Sequence, residues 1–153
     1  MDDGINGALG KIGRFAGVDR TYVFLLRDSA GGPPPGDRAR MDNTHEWCAP
    51  GIAPAIGHLQ DLPTMSFPWC NLRILRGQLI HIPRVADMPP EAAFDRAMLE
   101  SQDIRSLLLV PMTDRGVVLG FLGFDGVREE KAWTDESITL LTIVGEIFVH
   151  ALT

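Results

Sequence analysis

The sequence predicts a single soluble domain of the α+β class, and three observations carry that reading. The chain has 153 residues, 45% of them hydrophobic, which is one domain's length and enough core to fold unaided. Apolar residues recur at three and four positions near both ends, the helical period, and in compact runs between them, the strand signal. Segments rich in glycine, proline and aspartate join consecutive strand runs, as hairpins require.

Charge and hydropathy narrow the class. Lys and Arg number 14 against 20 Asp and Glu, a formal net charge of −6. That balance, with no basic block, argues against nucleic acid or an anionic membrane surface as partner. Apolar runs such as Leu107 to Val110 fall far short of the ~20 residues of a membrane span. The acidic start, Met1-Asp2-Asp3, is unlike a signal peptide. With two cysteines, Cys48 and Cys70, and a core that needs no disulfide, a reducing cytoplasm is the expected setting.

The elements follow in order. Ile5, Ala8, Leu9, Ile12, Phe15 and Ala16 make one helical stripe. Gly7, Gly10 and Gly13 weaken that helix by up to ~1 kcal/mol each, so it needs tertiary contact. Thr21 to Leu26 is β-rich. Ser29 to Asp37 is a loop by composition, and Arg38 to Trp47 returns as a more polar strand. Pro50 to Leu62 holds a possible short helix, with Ile52, Ile56 and Leu59 at helical spacing. Met65 to Leu75 is apolar and aromatic, and Leu79 to Ile82 is a short strand stopped by Pro83. Pro89-Pro90-Glu91 opens a helix expected to bury Phe94, Ala97 and Met98. Ser106 to Val110 is an uninterrupted apolar strand suited to a central position. Asp114-Arg115-Gly116 turns it into Val117 to Phe124, whose Gly120 and Gly123 lie on opposite faces and allow close approach on either side.

Thr134, followed by Asp135 and Glu136, is a good start for a last helix. That helix carries two apolar stripes: Ile138, Leu141, Gly145, Phe148 and Leu152, and Leu140, Val144, Ile147 and Ala151. Together they cover roughly 200°, twice what one core requires. One side is expected on the chain's own sheet and the other on a partner helix. The helix runs on without a cap, which points to a module excised from a longer signalling protein.

Several chemistries fail on spacing. His45-Glu46 begins a zinc-protease motif, but Ala49 stands where the second histidine belongs. His45 and Cys48 point to opposite sides of a strand and lack a second ligand pair, so no metal is expected. There is no Gly-x-Ser-x-Gly, phosphate-binding loop or kinase set. Cys48 and Cys70 could form a redox pair or simply fill core. What remains is an aromatic and polar cluster of His45, Glu46, Trp47, Cys48, Phe67, Trp69 and His81, near the apolar strand at Ser106. Aromatics with a few polar tips suit a small-molecule cavity or plug a core.

Leu9-Gly10-Lys11-Ile12-Gly13-Arg14-Phe15-Ala16-Gly17-Val18-Asp19-Arg20 with Tyr22-Val23-Phe24, then His45-Glu46-Trp47-Cys48, Phe67-Pro68-Trp69, Ile104-Arg105-Ser106-Leu107 with Pro111, and Gly120-Phe121-Leu122-Gly123-Phe124-Asp125 before Trp133, form an ordered set. Across essentially the whole chain it resembles the GAF domains of bacterial sensor proteins, of the subgroup fused to PAS, histidine kinase or diguanylate cyclase modules. The resemblance implies a PAS-like fold. A central antiparallel sheet of about six strands carries the terminal helices on one face and a pocket with shorter helices and loops on the other. It also implies a homodimer through the terminal helices, here assigned to Ile138, Leu141, Gly145, Phe148 and Leu152. Ligand contacts are expected from Glu46, Trp47, Cys48, Phe67, Trp69, His81 and Ser106.

The family leaves the ligand open, since cyclic-nucleotide, bilin, haem and amino-acid sensors share the fold. No cofactor is assigned. Cys70 is the candidate for a bilin attachment, without recognisable chromophore motifs around it. The expected function is a non-enzymatic sensor that binds a small molecule and acts on a covalently linked output domain. In that reading, the packing of residues 89–102 on the sheet carries the signal. The alternatives are a ligand-free dimerisation module and, remotely, a methionine sulfoxide reductase using Cys48 and Cys70.

Overall fold

Residues 2–28 and 39–152 are described in the computed structural model; the loop read from composition over Ser29 to Asp37 lies outside them. The first apolar stripe forms helix α1 (Asp2–Ala16), with Ile5 and Leu9 buried. Gly17 ends it at φ 68°, in the left-handed conformation that costs glycine little. Val18 N–H then returns to the Gly13 carbonyl, and Gly17 N–H to that of Arg14, which satisfies the last helical acceptors.

Strands β1 (Arg20–Asp28) and β2 (Ala39–Cys48) pair antiparallel. After them come β3 (Leu62–Pro63), helix α2 (Pro68–Leu75), β4 (Ile80–Ile82) and helix α3 (Ala93–Ser101). Strands β5 (Ser106–Asp114) and β6 (Val117–Gly126) form a hairpin. Its turn holds Arg115 and Gly116 at φ 53° and 80°, the positive pair whose twist matches the flanking strands. Among the described residues the sheet has six antiparallel strands in the order β3-β2-β1-β6-β5-β4. The apolar strand read as central therefore lies next to an edge strand, but both of its faces are covered.

Each face of the sheet carries its own core. On one, Val23, Leu108, Val110, Leu122 and Phe124 meet α1 and the last helix, α4 (Asp135–Leu152), through Ile5, Leu9, Leu141, Phe148 and Val149. Thr134 caps α4 as expected, its Oγ1 accepting the Ser137 N–H at 3.1 Å. On the other face, Tyr22, Phe24, Met41, Leu107, Leu109 and Phe121 meet Cys70 and Ile74 of α2 and Leu99 of α3.

Three expectations need correction. Residues 50–62 form no α-helix, only a 3₁₀ turn at Ile56–His58. Pro50, Gly51, Pro54 and Gly57 are poor helix formers, and Asn43 N–H draws the segment along β2 through the Leu59 carbonyl at 2.9 Å. Helix α3 buries Asp95 and Leu99, and leaves Phe94 59% exposed. Asp95 sets that rotation, because its carboxylate accepts the Trp69 and Cys70 N–H groups at 3.1 and 2.9 Å. It thereby satisfies orphan donors at the start of α2. On α4, the stripe assigned to a dimer packs on the chain's own sheet: Leu141, Gly145 and Phe148 are buried, and Ile138 and Leu152 lie against the same core. The large apolar residues that α4 exposes are instead Leu140, Ile143 and Ile147.

Candidate functional site

A bulge decides which side chains of β2 reach the site. Across β1, Glu46 faces Tyr22 and His45 faces Val23, but Phe24 faces Asn43 and Leu26 faces Met41. Thr44 is thus the extra residue, and side-chain parity changes there. Met41 and Glu46 consequently share one face despite their odd spacing, and both line a cavity beneath α2 and α3. Trp47 goes to the opposite face. Its ring lies against Gly10 and Gly13 of α1, where a Cβ on Gly13 would stand 2.5 Å from the indole. The Arg14 guanidinium lies 5.8 Å from the indole's centre.

The cavity has a volume of about 40 Å³, room for roughly three waters. Its walls are Phe24, Leu59, Phe67, Leu107, Leu109 and Phe121, with Asn71 and Gln102 among its polar groups. A cluster of Arg20, Tyr22 and Asp125 completes the lining. The Tyr22 hydroxyl donates to Asp125 Oδ1 at 2.7 Å, and Arg20 Nη1 lies 3.4 Å from Asp125 Oδ2. Arg20 and Asp125 are 4% and 1% exposed, an ion pair removed from water. Burial pushes the Asp125 carboxyl up to about 7, against the opposing influence of Arg20 and of the Tyr22 hydrogen bond. Burial, then the neighbouring Asp125, raises the Tyr22 phenol well above its ordinary value. The Arg20 Nε–H is buried without an acceptor. Glu46, on the same face, accepts N–H bonds from Ala55 and Ile56 at 3.1 to 3.3 Å, holding the 3₁₀ turn beside the cavity.

Of the seven residues expected at a ligand, Glu46 and Phe67 line this cavity. Trp47 packs under α1, as described. Cys48 is half-buried, its Sγ 4.0 Å from the Ala53 carbonyl oxygen. Trp69 lies outside the lining, with the Arg73 guanidinium 3.8 Å over its ring. His81 points to the helix-covered face, where its Nε2 accepts the Trp133 N–H at 3.2 Å and burial lowers its pKa. Ser106 links loops: its hydroxyl donates to the Pro83 carbonyl and accepts the Lys131 N–H. Sequence reasoning missed Arg20, Tyr22 and Asp125. A signal was available in Gly123, which pairs with Tyr22 and whose missing Cβ leaves the space that the tyrosine ring occupies.

Thiol chemistry finds little support in this geometry. Burial, then the Glu46 charge, pushes the Cys48 thiol up to about 11. Burial, then Asp95, raises that of Cys70. A nucleophilic cysteine needs the opposite shift. Among the described residues no three His, Cys, Asp or Glu side chains converge as metal ligands. No helix among them is long and apolar enough to cross a membrane.

Comparison with known proteins agrees with this architecture. The family model for the GAF domain matches residues 5–152. The methanogenesis regulatory histidine kinase FilI of Methanothrix harundinacea is 27% identical across this whole chain, which spans 17% of that kinase's length. Among solved structures, the photoproduct state of GAF3 from Slr1393 of Synechocystis sp. PCC6803 superposes with a TM-score of 0.75, covering 99% of this chain and 93% of that one at 17% identity. A domain of a two-component sensor histidine kinase protein from Sinorhizobium meliloti 1021 gives 0.71, covering 99% and 90% at 15% identity.

Proposed function

Because this chain belongs to the GAF domain family, a sensor family of signal transduction, we propose that it binds a small molecule in the cavity between its sheet and helices α2 and α3, and that occupancy controls an output module in the same protein. One observation carries the reading: an apolar cavity on a single face of the sheet, with a buried Arg20–Tyr22–Asp125 cluster as a wall. Small-molecule sites combine apolar walls with a few placed polar groups in this way. The kinase architecture of the relative supports the output module. The cavity volume favours a ligand far smaller than a tetrapyrrole.

The signal has a physical route. Glu46 on the cavity face holds the Ile56–His58 turn, and the next residue, Trp47, fills the glycine notch of α1. A ligand that displaces Glu46 or Arg20 therefore acts on β2 and, through Trp47, on α1. The exposed stripe Leu140, Ile143 and Ile147 of α4 is the proposed homodimer surface that reads the change. Such a ligand must bind one state more tightly than the other.

The test is a thermal-shift screen of small metabolites and cyclic nucleotides on wild type and on Leu109→Phe, which fills the cavity. A true ligand at 100 times Kd adds about 2.7 kcal/mol to the wild type and nothing to the filled variant. Equal shifts in both proteins, or none in either, would remove the cavity as the site and leave a structural dimerisation module.

A further inference from the structure

The cavity's own chemistry narrows what it takes, given the reading of that cavity as the ligand site. Arg20 lines it, is 4% exposed, and has an Nε–H with no acceptor. A buried donor without a partner is expensive, and the guanidinium is a planar fork matched to a carboxylate. The nearby carboxylates are already engaged. Both Glu46 oxygens receive the Ala55 and Ile56 N–H groups, and the Asp125 oxygens receive Tyr22 and Arg20. The unmet need is therefore for an acceptor, beside walls formed by Phe24, Leu107, Leu109 and Phe121.

We infer that the ligand is a compact monocarboxylate, its carboxylate on Arg20 and its short hydrocarbon body against Phe24, Leu107, Leu109 and Phe121. Binding is coupled to a proton. The charged and titratable groups around Asp125 are Arg20 and Tyr22 on β1, Glu46 and Cys48 on β2, and Asp19 before β1. An incoming anion adds negative charge to this set and shares Arg20, so it favours the protonated form of Asp125. Because burial pushes that carboxyl up to about 7, it must take up a proton at higher pH. Affinity therefore falls as pH rises through neutrality, approaching about tenfold per unit above it.

The experiment titrates the protein with butyrate, butyramide and n-butylamine at pH 6 and pH 8, by calorimetry and by the NMR resonance of the Arg20 Nε–H. Butyrate is expected to move that resonance, to bind at least about tenfold more tightly than butyramide, and to weaken at pH 8. Arg20→Lys, which keeps the charge and loses the fork, should lose most of the butyrate affinity; if that variant does not fold, the wild-type resonance decides alone. Butyramide or butylamine binding as tightly as butyrate overturns the carboxylate assignment while keeping the cavity as a site. No response of the Arg20 resonance to butyrate also overturns it, and the screen with Leu109→Phe then judges the cavity separately.

Discussion

The two faces of the sheet are built from the same strands and packed by different rules. The face under α1 and α4 is closed by two long helices, and its central side chains are fully buried: Leu9, Val23, Leu108, Val110, Leu122 and Phe124 are all at 0% exposure. The face under α2 and α3 is closed by two short helices and several 3₁₀ turns. It holds a cavity and a buried ion pair. Dense apolar packing resists change because every displaced atom loses contacts. A face with empty volume and buried charge has alternatives close in energy. The contrast separates a densely packed platform from a face with open volume and buried charge.

Strand β6 allows this contrast to be broken with one residue type. Phe124 and Phe121 lie three residues apart on opposite faces, at 0% and 4% exposure. Phe124→Ala should cost about 3–5 kcal/mol, the usual range for a large buried aromatic. Phe121 stacks on Phe24 with centroids 4.9 Å apart, but it also lines the cavity, so part of its ring already faces open volume and has fewer contacts to lose. We expect a cost smaller by at least about 1 kcal/mol, because the penalty depends on how the vacated volume is filled. Urea denaturation of the two variants decides the matter, and equal costs would mean that the faces are packed alike.

How much of this was legible beforehand differs between the faces. The stripe of α1, the Thr134 cap and the turn at Arg115-Gly116 announce themselves locally, because periodicity, capping and turn chemistry act over a few residues. The GAF-like segments extended that to the whole sheet. What failed depends on events with no local signature. The unpaired Thr44 switches the parity of β2 and sends Trp47 away from Glu46. Asp95 turns inward to satisfy the first N–H groups of α2, a partner 25 residues away, and so rotates α3. On α4 both stripes are apolar, and only the position of the sheet decides that Leu141 and Phe148 face inward while Ile143 and Ile147 do not.

A smaller effect than the phenylalanine deletions is expected from the buried carboxyl. Asp125 titrates at about 7 when folded and near 4 when unfolded. Between those values the native state binds the additional proton, so stability is greatest at the acid end. It declines as pH rises from about 4 to 7, and stays level above, where both states are ionised. Asp125→Asn removes this dependence, and Asn keeps an acceptor for Tyr22. The difference in unfolding free energy between variant and wild type should therefore change by about 2–3 kcal/mol between pH 5 and pH 7. A difference constant with pH would show that the cluster side is as insensitive to solution conditions as the platform.

The smallest effect on the folded chain carries the most information about the platform's outer side. Ile147 is 59% exposed, Ile143 47% and Leu140 43%, at helical spacing on α4. Ile147→Glu touches none of the buried positions, so monomer stability should stay within about 0.5 kcal/mol. If this stripe joins two copies, a glutamate there is left desolvated in an apolar contact, a penalty that a buried unpaired charge makes severe. Sedimentation velocity is then expected to show the mass of two chains for wild type and of one for the variant. The wild-type melting temperature should rise with protein concentration, while that of the variant does not. Leu141→Glu cannot serve for this purpose, because Leu141 is 1% exposed on the inner side of the same helix and its replacement unfolds the domain itself. Two chains in both proteins would place the contact elsewhere, and one chain in both would leave the platform's apolar outer stripe without a second copy to cover it.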